Sequence, residues 1–121
     1  MADNKQDHNI PKLQSPFEQL REVDDGGKEW WNSRKLARVM GYGKYWNFER
    51  VMAKAQAWVS QKGYHLGEHF VAFTEMAELG SGAVREVTSV KLSRAACMAI
   101  AMNADQKKDM VKVAKEYFAD T

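Results

Sequence analysis

The sequence predicts an α+β domain in which about four helices pack on a small antiparallel β-sheet, two of them as a helix-turn-helix-like pair. Three observations lead there. Residues 45–62 place Phe48, Val51, Met52, Ala55, Trp58 and Val59 at a helical period. Gly80-Ser81-Gly82 separates two runs, roughly 70–79 and 84–92, the second rich in β-prone Val84, Val87, Val90 and Leu92. A chain of 121 residues with 45% hydrophobic content is large enough for one domain with its own core.

In chain order, residues 1–15 are polar and broken by Pro11, with Pro16 following, and read as a flexible tail before a domain over 16–121. Phe17, Leu20 and Val23 restore apolar spacing as a short helix or strand. Asp24-Asp25-Gly26-Gly27 is a tight turn, and Lys28 to Trp31 a short strand leaving it. Asn32 or Ser33 caps a helix from Arg34 to Met40, which turns Leu36, Val39 and Met40 inward. Gly41 and Gly63 end the first and second helices of the pair. Phe70, Phe73 and Met76 also suit a helix, but the glycine turn favours a hairpin. Ser93 caps a small-residue helix, Arg94 to Met102, and Asn103-Ala104-Asp105 breaks it. A last helix, about Gln106 to Ala119, buries Met110, Val113, Ala114, Tyr117 and Phe118 and exposes Lys107, Lys108, Lys112 and Lys115.

Composition excludes several classes. No apolar run approaches the ~20 residues of a spanning helix, and MADNKQDHNIPKLQ lacks the apolar core of a cleaved signal peptide. The lone Cys97 excludes an internal disulfide and a multi-cysteine zinc site, so a cytoplasmic location is expected. His65 and His69 are four apart, but Gly63 and Gly67 speak against a helix there and no third ligand is near, so no metal is expected. No nucleophile–base–acid set, paired carboxylates or phosphate loop is present, which leaves enzymatic activity without support and no catalytic residue to name.

Charge is concentrated. Residues 29–62 carry seven Lys and Arg against Glu29 and Glu49, although the whole chain has a net charge of only +2. Such a patch suits a phosphate backbone, or a solvated helix face. In a DNA-reading pair, Asn47 and Arg50 would meet base edges from the first turns of the second helix. Arg34, Lys35, Arg38, Lys44 and Lys54 would hold phosphates. Trp46 and Phe48 are expected in the core, whereas Tyr45 lies off the apolar stripe and is free to stack. The turn at 80–82 followed by Arg85 suits either a phosphate or a plain hairpin, and Arg85, Lys91 and Arg94 extend the candidate surface from the hairpin side.

Several blocks, in order, carry a family resemblance: Glu29-Trp30-Trp31, SRKLARVMGYGKYWNFERVMAKA, GEHF, ELGSGAVRE, VKLSRAACMAIAMNADQKK and AKEYFA. From about Phe17 to Ala119 the chain resembles the DNA-damage-inducible protein D family, whose N-terminal domain is of the BRO type and akin to phage antirepressor domains. The resemblance implies a bacterial or prophage DNA-binding module, non-enzymatic and without a cofactor, at work in the cytoplasm or on the nucleoid. It also implies that family members continue past this domain. Duplex DNA is the expected partner ahead of single strand, with no membrane involved and the choice between monomer and homodimer open. The alternative is a protein-interaction module that antagonises a repressor or a DNA-repair protein. A nuclease is disfavoured, since magnesium would need carboxylates.

Overall fold

The computed structural model describes residues 15–78 and 80–119. The expected tail lies outside them except for Ser15, which is 7% exposed and accepts the Phe17 N–H to cap the first helix. That helix is α1 (Pro16–Leu20), followed by β1 (Glu22–Val23), β2 (Glu29–Asn32), α2 (Ser33–Val39) and α3 (Tyr45–Gln61). Next come α4 (Leu66–His69), β3 (Phe70–Glu78), β4 (Val84–Leu92), α5 (Arg94–Asn103) and α6 (Asp109–Ala119). The fold is α+β, with helices packed on one antiparallel sheet of order β1-β2-β4-β3.

Register decides the shape of that sheet. β3 and β4 pair along their full length, from Phe70↔Leu92 to Glu78↔Val84. β2 meets β4 only at Trp31↔Leu92 and Asn32↔Lys91. Beyond residue 91 towards the turn, the hairpin therefore continues as a two-stranded arm. Its base is anchored in the core, where Trp31, Phe17, Phe48, Leu36, Met40, Leu92, Ile100 and Val111 are all fully buried. The Trp31 indole N–H donates to the Phe17 carbonyl at 2.8 Å, so this large ring is buried with its one polar atom satisfied. The alanines of α5, Ala96, Ala99 and Ala101, let it pack closely against α3 and α6.

Four details depart from the sequence reading. The short helix α4 forms despite Gly67. The last helix begins at Asp109, because Gln106 is drawn back to the end of α5, donating to the Ala101 and Ala104 carbonyls. That helix buries Val111, Ala114, Tyr117 and Phe118, while Val113 is 39% exposed. On α3, Trp46 is 51% exposed and Trp58 36%, so neither indole belongs to the core.

Candidate nucleic-acid interface

Helix α2 starts where Asn32 Oδ1 accepts from the N–H groups of Arg34 (2.9 Å) and Lys35 (3.2 Å). Gly41, at φ +91°, takes the left-handed conformation that ends it. The following link is pinned to the far end of the chain: Lys108 Nζ donates to the Gly41 carbonyl at 3.1 Å, and the Asp105 N–H donates to the Tyr42 hydroxyl at 3.0 Å. The link that leads into α3 is thus tied to the segment between α5 and α6.

The candidate residues divide by how firmly the fold already uses them. Arg34 donates to Ser89 Oγ (3.1 Å) and the Thr88 carbonyl (2.9 Å), and its guanidinium lies 4.1 Å from the Tyr45 ring centre. Tyr45 bonds Ser33 through its hydroxyl at 2.7 Å, and burial pushes its phenol above its ordinary pKa. Arg94 is committed to Glu29 at 2.7 Å, and Lys91 sits 4.8 Å from the Trp30 ring centre. These four act as structural ties in the isolated domain. Arg85 is exposed opposite Ala77, on the sheet face that also carries Glu75 and Ser89.

Lys35, Arg38, Lys44, Arg50 and Lys54 are all exposed and form no ion pair among the described residues. They do not share one environment. Arg34, Lys35 and Arg38 line a cleft of about 670 Å³ whose opposite wall includes Glu75, Met76 and Glu78. Burial works against ionisation of Glu75, yet hydrogen bonds from Ser89 and Asn32, with Lys35 and Arg34 nearby, hold its carboxyl below the ordinary value. The cleft is therefore of mixed charge. Along α3, by contrast, Arg50 and Lys54 have only Glu49 as acidic company, while Glu78 of β3 lines a pocket with Tyr42, Gly43 and Tyr45 beside Lys44. Arg50 stacks over Trp46 at 4.9 Å, while Asn47 beside it is half-buried.

The sequence reading missed Lys108 as a neighbour of the link, since it lies 67 residues from Gly41 with no local signal joining them. It also left His69 without a role. Its Nδ1 meets the Ser93 hydroxyl at 2.6 Å, beside the cap of α5. Cys97 is fully buried, and desolvation raises its thiol well above the ordinary pKa, which makes it an inert packing group. Among the described residues no helix is long and apolar enough to cross a membrane.

No family model matches the chain, and no solved structure matches it. It is 32% identical over 104 residues, 86% of its length, to the DNA damage-inducible protein D of Escherichia coli (strain K12). The chain spans 38% of that relative's length. Through this domain, the chain belongs to the DNA damage-inducible protein D family.

Proposed function

We propose that this domain is a DNA-binding module of a DNA-damage-related protein, acting without a cofactor and catalysing no reaction. The observation that carries the reading is the unneutralised positive surface of α3 and its preceding link, where Lys44, Arg50 and Lys54 project with no ion-pair partner among the described residues. The name of the curated relative places that protein in the response to DNA damage, and a chain built to meet DNA there needs a surface of this sign. Lys35 and Arg38 add charge from α2, but Glu75 and Glu78 across the cleft weaken their field. The helix-turn-helix-like pair then serves as a phosphate-tracking platform on duplex DNA, with Arg50 as the side chain best suited to a guanine edge.

The test is a triple variant, Lys44→Ala, Arg50→Ala and Lys54→Ala, titrated with a 20-base-pair duplex by anisotropy. All three side chains are exposed, so stability should stay near the parent's. The slope of log affinity against log salt should fall by about two, close to one each for the phosphate contacts of Lys44 and Lys54, while loss of Arg50 weakens the preferred site. Parent-like binding by the triple variant would remove α3 from the interface.

The partner-binding reading has one observation of its own. The β3–β4 arm leaves Met76 62% exposed and Val84 60% exposed near its tip, and it carries Glu75, Glu78 and Glu86 against Arg85 alone. An acidic, partly apolar arm of this kind suits a basic protein surface, such as that of a repressor or repair protein, better than it suits DNA.

A further inference from the structure

The outer side of α3 and its C-cap carries a feature that duplex binding does not require. Trp46, Arg50, Lys54, Trp58 and Lys62 follow one another at intervals of four residues, and so form one continuous ridge inclined to the helix axis. Aromatic and cationic side chains interleave along it. Arg50 lies 4.9 Å from the Trp46 ring centre, and Lys62 Nζ lies 5.4 Å from that of Trp58. The ridge contains no acidic residue.

An indole left open to water is a costly use of the largest apolar side chain, and of the four tryptophans of this chain Trp46 is 51% and Trp58 36% exposed. The other two, Trp30 and Trp31, are at least partly buried by the sheet and core. Neither Trp46 nor Trp58 has an aromatic ring of the domain stacked on it among the described residues. The two lie 12 residues apart, or about 18 Å along the helix, enough to engage separate bases.

We infer that this ridge binds unpaired nucleic acid, with Trp46 and Trp58 as stacking platforms for bases and Arg50, Lys54 and Lys62 on the phosphates between them. This rests on the DNA-binding reading above and makes it more specific. A duplex hides the faces of its bases inside its own stack, whereas a single strand presents them to an indole. Cations along the same line supply the sequence-independent attraction that a stacking platform alone lacks. The domain would then meet damaged DNA where strands have separated.

The ridge is tested with the 121-residue chain, a 12-nucleotide deoxythymidylate strand and a 20-base-pair duplex, using tryptophan emission for the strand and anisotropy for both. The strand should quench the parent's emission. Trp46→Ala with Trp58→Ala should lower single-strand affinity by about tenfold or more for each ring removed, and change duplex affinity less than about twofold. Trp46→Ala alone, at the more exposed position, should keep the parent's melting temperature and show the single-ring loss. Trp46→Phe should recover most of it, since a smaller ring still stacks. A parent that binds duplex but not the strand, or a double variant that binds the strand as the parent does, overturns the inference and leaves the DNA-binding reading standing. A parent that binds neither nucleic acid overturns that reading and the ridge with it.

Discussion

Two aromatic residues near the start of α3 show how far residue identity is from residue role. Phe48 is fully buried, with Tyr42 against it edge-on at 5.7 Å and Tyr45 stacked at 6.1 Å. Trp46, two positions earlier, is 51% exposed. A step of two residues turns a helix by about 200°, so both side chains cannot face one core. Phe48→Ala should cost about 3–5 kcal/mol in urea denaturation, a large part of what so small a domain possesses. Trp46→Ala should cost no more than about 0.5 kcal/mol. Ring size alone predicts both in the core. The helical phase of Phe48, Val51, Met52, Ala55 and Val59, legible in the same residues, already excludes Trp46.

One tie between elements is electrostatic and runs through Glu29 on β2. It accepts from Arg94 of α5 at 2.7 Å and from Arg21, between α1 and β1, at 2.8 Å. The Arg94 hydrogen bond leads in holding its carboxyl down to about 2 from an ordinary 4.5, with burial working the other way and Arg21 adding to the depression. A depressed folded-state pKa means that Glu29 contributes stability above pH 4.5, which is lost as pH falls from there through about 2. Glu29→Gln should therefore lower stability at pH 7 by about 1–3 kcal/mol and flatten its decline below pH 4.5, as read from thermal melts across pH. None of this was legible in the sequence. Glu29 and Arg94 are 65 residues apart, and each is an unremarkable charge in its own segment. Elements set by local chemistry were legible: the Asn32 and Ser93 caps, the stop at Gly41, and the hairpin around 80–82. Helix α4 was not, because Gly67 outweighed its four-residue pattern, and the start of α6 depended on a Gln106 side chain bonding the helix before it.

For the whole molecule, what matters is where the net charge of +2 is left unbalanced. The basic third of the chain was visible from composition, but the sequence could not tell committed cations from free ones. Folding binds Arg34 to β4 and Arg94 to Glu29, sets Glu75 and Glu78 across from Lys35 and Arg38, and leaves the link and α3 exposed. The acidic β3–β4 arm borders that surface: Glu75 and Glu78 share a cleft with Lys35 and Arg38, and Glu78 also lines a pocket with Gly43 and Tyr45 of the link and the start of α3. The claim that α3 and its link face a phosphate backbone is tested most directly by titrating the parent chain with a 20-base-pair duplex at 50 and at 200 mM salt. Contact of Lys35, Arg38, Lys44 and Lys54 with about four phosphates predicts a loss of affinity of roughly a hundredfold between the two conditions. Affinity that stays flat across them, or no binding at 50 mM, would contradict it.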